Sequence, residues 1–542
     1  MKMARAAEVQ IDDLSVAQVN VDGSETQSLA PKWKLYFLLL GLCFNLLLST
    51  LETTIVSTAL VSITNDLDGF SQRDWIVTSY LLTYTGFLTI FAKLSDIFGR
   101  KVLLLFSLVI FVVFSILCGA SRSMTNLTIF RAFQGIGGSG IYSLVSVTTV
   151  QVVPHEKLGK YGAAVSSVFA LASVLGPLLG GAITAKPKNW PWVFYLNGPL
   201  GVCAIALIIA FLPSTDADRE TSKIFRKNAP SNAWRRLDHI GAIILLAASV
   251  LLIFVLEEAG TRLLWKSTTI IICIVLCAVL WILFPVWEHF AVGQRHTLRE
   301  PIFPMGLLKS RFVSGMLLYA FFSGFPFLGV VINLPQRFQA VNDVSPFLAG
   351  IYLLPLLLCT PVAAAACGFC TSRLKLAPFY LVVAGAALQI LGLGLMTSLP
   401  STPLELQKQQ FGFEVIMGLG FGLGLTTLLV MVPIVVEEKD KAVMTGAVTQ
   451  VRVLGGTIGL AILSQVLNRD VERQLNTIVP PAVVQEIYQS VSTINRLNPA
   501  QQYAVRVVFA DGYTLLMKVL AGFSGLVLFI AFMLWEKQPR KL

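Results

Sequence analysis

Six polar residues interrupt otherwise apolar stretches of the chain: Glu52, Arg131, Gln134, Glu414, Arg452 and Lys518. A charged side chain at the middle of a bilayer costs about 2.5 to 3.5 kcal/mol on insertion scales, so each charge there needs a structural or functional reason. An acid taken out of water favours its neutral form. A lone acid such as Glu52 can therefore take a proton from one side of a membrane and release it once its surroundings change, which is the chemistry of proton coupling. The alternative is a structural carboxyl bonded to neighbouring hydroxyls such as Ser49 or Thr53. Arg131 is expected to face a helix-bundle interior, because a guanidinium in lipid is expensive. Gln134, one turn on, lies on the same face and can share its hydrogen bonds. The competing reading has Arg131 snorkelling to the nearby surface. Glu414, Arg452 and Lys518 are the further candidates.

Two further stretches suggest mechanics. Ala92-Lys93-Leu94-Ser95-Asp96-Ile97-Phe98-Gly99-Arg100-Lys101 reads as a short connector. Gly99 permits a tight turn, Asp96 can meet a helix N-terminus or a basic group, and Arg100 and Lys101 favour the cytosolic side. Gly176-Pro177-Leu178-Leu179-Gly180-Gly181 lies inside an apolar run. Pro177 removes a backbone hydrogen bond and lets a helix bend, while Gly176, Gly180 and Gly181 allow close approach of a second helix. Packing alone also accounts for these glycines.

Other patterns carry less. Gly135-Ile136-Gly137-Gly138-Ser139-Gly140 satisfies a dinucleotide-binding spacing but follows no strand and sits in a long apolar run. No phosphate-cradling G-x-x-x-x-G-K-[ST] occurs, so an ion gradient is the expected energy source, with no cofactor and no ATP-binding domain. Cys367 and Cys370 form a lone CxxC in an apolar run, which reads as helix packing. His155, His239, His289 and His296 stand at no ligand spacing, and no metal is expected.

The elements that must position these residues follow from composition. Of 542 residues, 55% are hydrophobic and 13% are charged, against about a quarter charged in soluble domains. A polytopic membrane protein is expected. The net charge of +11 comes from Lys and Arg in short clusters between apolar runs. Such clusters suit a bilayer surface rather than nucleic acid. Apolar runs of spanning length number fourteen, at roughly 35–60, 75–95, 103–121, 127–152, 160–184, 192–212, 240–257, 266–288, 313–334, 346–370, 377–398, 411–436, 443–467 and 513–534. With both termini in the cytosol, the cytoplasmic segments hold roughly twice the Lys and Arg of the opposite side.

The fourth and twelfth runs share a pattern. Arg131-Ala132-Phe133-Gln134-Gly135-Ile136-Gly137 matches the glycine spacing of Glu414-Val415-Ile416-Met417-Gly418-Leu419-Gly420. Each run leads through Pro154 to Lys157, or Pro433 to Lys439, towards a second match at Gly162 or Gly446. The offsets, 31 residues from Arg131 to Gly162 and 32 from Glu414 to Gly446, nearly coincide. This points to a duplicated six-helix unit with two helices inserted between the copies, a common transporter plan. The expected division is a disordered cytosolic tail over 1–34 and a six-helix bundle over 35–213. A basic linker with two extra helices follows over 214–310, then five helices of a second bundle over 311–468. An extracytoplasmic loop over 469–510 and a last helix with its tail over 511–542 complete the chain.

From about residue 35 to residue 535, the sequence resembles the major facilitator superfamily. The stretch from Ala92 to Lys101 is similar to motif A, with Ala92 at the usual first glycine. Arg131 to Gly137 resembles motif B, and Gly176 to Gly181 resembles motif C, which is associated with antiporters. Leu51-Glu52-Thr53-Thr54-Ile55-Val56 resembles the signature of the fourteen-helix drug:H⁺ antiporters, with Glu52 in place of Asp. Fungal toxin and multidrug efflux pumps have a similar texture. The resemblance implies an all-α membrane protein of the major facilitator fold, with two pseudo-symmetric bundles, and no enzymatic activity. It assigns Arg131 a part in proton transfer. The expected function is proton-coupled export of small amphiphilic compounds across the plasma membrane, with a vacuolar or vesicle membrane as the other address. Proton-coupled import of siderophore-bound iron and solute sensing are the alternatives. The expected partners are the transported small molecule and the lipid bilayer.

Overall fold

Apolar segments in a bilayer fold as helices because a helix satisfies its own backbone hydrogen bonds where no water can. A computed structural model describes residues 32–152, 158–186, 188–212, 238–259, 263–293, 308–402, 404–436 and 441–537. Residues 1–31 of the tail expected over 1–34, most of the basic linker, His155, His296 and the loop residues Pro154 to Lys157 and Glu437 to Lys439 lie outside those residues, while residues 32–34 of that tail are already helical.

The first half contains α1 (Lys32–Asp66), α2 (Trp75–Phe98), α3 (Arg100–Gly119), α4 (Met124–Val152) and α5 (Leu158–Thr184). It closes with α6 (Pro191–Phe211), which is interrupted at Leu196. The inserted pair is α7 (His239–Glu258) and α8 (Thr268–Gly293). The second half contains α9 (Arg311–Ala340), α10 (Pro346–Ser372), α11 (Pro378–Thr397), α12 (Gln409–Val435) and α13 (Lys441–Leu475). A short surface helix, α14 (Pro481–Gln489), precedes the last long one, α15 (Pro499–Ala531). Eleven of these helices are apolar and long enough to cross a membrane among the described residues. The fourteen runs of the sequence also include α2, α4 and α5, which are of spanning length at 24, 29 and 27 residues but are not among the eleven.

The halves repeat one packing plan. In the first, α1 lies along α5, and α4 lies between α2 and α3, while α6 packs on α1 and α3. In the second, α9 lies along α13, and α12 lies between α10 and α11, while α15 packs on α9 and α11. Glycines make the close crossings possible. A side chain at Gly135 would collide with the Tyr80 carbonyl on α2, and one at Gly137 with the Phe111 backbone on α3. Gly418 stands in the same way against α10 and Gly420 against α11. The dinucleotide-like glycines are therefore a packing surface that draws α4 into its bundle.

The halves meet along α1 with α9, α2 with α13, and α5 with α10. The inserted pair lies beside one of these seams, with α7 against α2 and α13 and α8 against α7. The outward face of α8 exposes Ile272, Val275, Val279, Ile282 and Phe290, an apolar surface suited to lipid.

Several helices outrun their apolar runs. Helix α9 continues past Pro335 to Ala340, where Gln336, Arg337 and Phe338 are buried against the rest of the bundle. Tertiary packing overrides the proline there. Helix α13 runs on to Leu475 through polar turns, with Gln474 Nε2 donating to Asp470 Oδ2 at 2.8 Å. Helix α15 begins at Pro499, capped by Asn498, whose side chain accepts from the Gln501 N–H at 2.8 Å. Much of the span expected as a loop over 469–510 is thus helical. Helix α14 buries Val484 and Ile487, and Tyr488 donates to the Asn468 carbonyl at 2.7 Å. Burial pushes the Tyr488 hydroxyl above its ordinary pKa, which keeps it a donor.

Candidate functional site

Five helices of the first half converge on Glu52, which has no exposed surface. Its Oε1 pairs with Arg131 Nη1 from α4, and its Oε2 accepts from Asn197 Nδ2 of α6 at 2.6 Å. Arg131 also donates from Nη1 to Gln134 Oε1 at 2.7 Å and from Nε to the Ile76 carbonyl of α2 at 2.8 Å. Its guanidinium lies 4.4 Å from the centre of the Tyr80 ring and 5.7 Å from that of Phe194. Gln134 Nε2 donates to Ser115 Oγ of α3 at 2.7 Å. Each carboxylate oxygen thus has a donor, and the cation has oxygen acceptors and an aromatic face, which is what a buried ion pair requires.

The arrangement places each of these side chains. Arg131 is 1% exposed and does not snorkel. The expected sharing between Arg131 and Gln134 is present. The hydroxyls of Ser49 and Thr53 do not hold Glu52: they donate to the Gly138 and Thr50 carbonyls. Asn197, Ser115 and Tyr80 complete the cluster and were not singled out by sequence. Asn197 had the clearest signal, as an amide inside an apolar helix.

The other candidates fall elsewhere. Glu414 is fully buried on α12 in the second half, and neither of its carboxyl oxygens has a hydrogen-bond partner among the described residues. Its cationic neighbour is Arg337 of α9, a residue hidden from sequence reasoning because it follows Pro335. Arg452, on α13, stacks at 4.4 Å over the Phe327 ring and has Tyr142 of the first half and Tyr319 of the second within electrostatic reach. It therefore stands at the seam. Lys518 lies on the exposed face of α15.

At the motif A connector, Asp96 lies in the last turn of α2. Gly99 joins α2 to α3 with φ 87°, a conformation that disfavours any side chain. Arg100 begins α3. Lys101 Nζ donates to the Ile209 and Leu212 carbonyls at 2.8 and 2.7 Å, capping the end of α6. The glycines after Ser173 serve close approach: Gly176 and Gly180 face Thr54 and Ile55 of α1, while Gly181 faces the Pro346 carbonyl of α10 in the other half. Thr58 donates to the Pro177 carbonyl at 3.2 Å.

The end of the molecule that the charge bias puts outside is drawn shut around Arg73. This residue, between α1 and α2, is 1% exposed. It donates to Gln336 Oε1 at 2.9 Å and to Asn468 Oδ1 at 3.1 Å, both in the second half. Gln339 Nε2 reaches the Thr58 carbonyl at 3.1 Å, and Ser490 bonds Asn65 at 2.9 Å. Sequence reasoning counted Arg73 only as a loop charge.

A duplicated bundle of membrane-length helices is a plan found in many membrane transporters. The sequence pattern of the Major Facilitator Superfamily matches residues 42–460, and the chain belongs to that superfamily. It is 50% identical over 509 residues to the MFS-type transporter FPY5 of Fusarium mangiferae, covering 94% of this chain and 85% of the relative. It is 30% identical over 510 residues to the MFS-type efflux pump MFS1 of Arthroderma benhamiae, covering 93% and 92%. Among solved structures, it is similar in fold to an inward-facing, occupied bacterial homologue of the human lysosomal transporter Spinster. That similarity has a TM-score of 0.65 at 13% identity and covers 93% of this chain and 97% of the other.

Proposed function

We propose that this protein exports small amphiphilic organic compounds, such as toxins, secondary metabolites or drugs, in exchange for protons. It does so by alternating access of two six-helix halves, across fourteen membrane crossings in the plasma membrane. The observation that carries the reading is the fully buried Glu52, held between Arg131 and Asn197. A proton taken up by Glu52 neutralises the acid and frees the Arg131 guanidinium from its charge partner. Loss of that proton restores the pair. Because five helices supply the cluster, its charge state bears on the packing of the whole first half.

Export is supported by the efflux pump among the relatives and by the glycine and proline residues of α5 at the seam with α10. The substrate class is supported by charge. Helix α10 carries no charged residue and α1 offers Glu52 as its acid within the apolar run, so neutral or singly cationic compounds suit the pathway better than dications. Cells lacking the gene should retain an amphiphilic compound that normal cells expel. Purified protein in vesicles should move that compound in response to a pH gradient and leave a dicationic dye nearly unmoved. Retention of nothing, or dication transport unaffected by replacing Glu52, would overturn the reading.

A further inference from the structure

Of the buried acids whose two carboxyl oxygens both lack a hydrogen-bond partner among the described residues, Asp74 has the Arg73 guanidinium at 3.7 Å, and Glu414 has no ion pair. Its side chain is completely buried, yet both carboxyl oxygens lack a hydrogen-bond partner. An ionised carboxylate left in that condition is strongly disfavoured, and a neutral acid is far less so. One helical turn earlier, Gln410 accepts from Arg337 Nη1 at 3.2 Å. Residues four apart share a helix face, so the guanidinium lies about one turn, ~5.4 Å, along α12 from the carboxyl. A small cleft at the outer end of α9 and α12 is lined by Arg337, Asn342, Glu405 and Gln410, and Glu414 lies one turn beyond Gln410, outside that lining. Gln410 Nε2 and Asn342 Oδ1 also lack partners there.

We infer that Glu414 is a second proton-carrying site, in which loss of the proton draws Arg337 from Gln410 onto the Glu414 carboxylate. As the Glu414 side chain turns the one helical step towards Gln410, its proton passes to water at the cleft that Gln410 and Arg337 line, and the positive charge of Arg337 replaces it. No other species is consumed. The two halves then carry opposite arrangements: acid on the first helix and base on the fourth in one, base on the first and acid on the fourth in the other.

The surrounding elements leave Arg337 as the deciding charge. From α15, Tyr513 faces Arg337 and also has Arg73 and Asp74 in reach. Helix α10 brings Tyr352 and Cys359 but no charged residue, and α11 has none. The connector before α12 supplies Glu405 and Lys408 at the cleft end. On α13, Arg452 faces Tyr142, Tyr319 and Phe327 instead.

A role in coupling rests on the proton-exchange reading above, but titration of the acid stands apart from it and needs no substrate. Purified full-length protein in lipid is titrated by infrared spectroscopy at the carboxylic-acid C=O stretch. An acid without hydrogen bonds absorbs at the high-frequency edge of that region. The expected result is such a band that fades as pH rises, is absent in Glu414→Gln and persists in Glu52→Gln. Glu414→Asp, which keeps the acid, should retain a band at a changed frequency. Arg337→Gln removes the replacing charge, so the band should fade at higher pH. An unchanged band in Glu414→Gln overturns the site, whether or not Glu52→Gln transports. A midpoint unmoved by Arg337→Gln overturns the exchange of partners, and that variant is informative even if Glu414→Gln fails to fold.

Discussion

Two buried acids, Glu52 and Glu414, are equally removed from solvent and oppositely treated. Glu52 has a guanidinium on one oxygen and an amide on the other. Glu414 has neither oxygen engaged, although Arg337 is its neighbour and hydrogen-bonds to Gln410 instead. The backbone plan around them is the same, with α4 and α12 drawn between their flanking helices by matching glycines. The difference lies in side chains alone. A repeat therefore preserves where a polar group can be buried, while a few substitutions decide whether it is locked or poised.

The comparison breaks first at Arg131. Replacing it with Ala leaves Glu52 buried without its cation, and loss of one partner of a buried pair costs about 3 to 5 kcal/mol. Thermal unfolding in detergent should show the largest loss of this set, and Glu52→Gln combined with Arg131→Gln should recover much of it. Asn197→Ala removes the donor to the second oxygen and should cost about 1 to 3 kcal/mol by the same assay. At the other site, Arg337→Gln removes one buried hydrogen bond to Gln410 but breaks no ion pair, so the loss should be about 1.5 to 3 kcal/mol, below that at Arg131. Equal losses at Arg131 and Arg337 would erase the distinction between the halves.

Much of the fold was legible in the sequence because membrane physics leaves few choices. Apolar runs of spanning length and the paired glycine patterns at Arg131 and Glu414 were enough for a duplicated bundle. The polar continuations were not legible. Arg337 follows Pro335, and periodicity alone ends a helix there, whereas packing carries α9 onward. The polar turns after Asn468 read as loop, yet they extend α13 to Leu475. Within the candidate site, the exceptional charges Glu52 and Arg131 stood out against apolar neighbours. Of their partners, Gln134 was legible from its one-turn spacing to Arg131, while Ser115, Tyr80 and Asn197 take their role from the convergence of α2, α3 and α6. Arg73 was hidden for the opposite reason: it sits in a connector where a basic residue is common, and only the docking of the second half turns it into a buried latch.

The central claim is that Glu52 carries the coupling proton. Its most direct test uses vesicles containing the purified protein and the compound retained by cells without the gene. Accumulation under an imposed pH gradient is compared between the native protein and Glu52→Gln, alongside exchange of the compound with no gradient. The account predicts that Glu52→Gln abolishes gradient-driven accumulation and retains exchange. Undiminished gradient-driven accumulation in Glu52→Gln would contradict it.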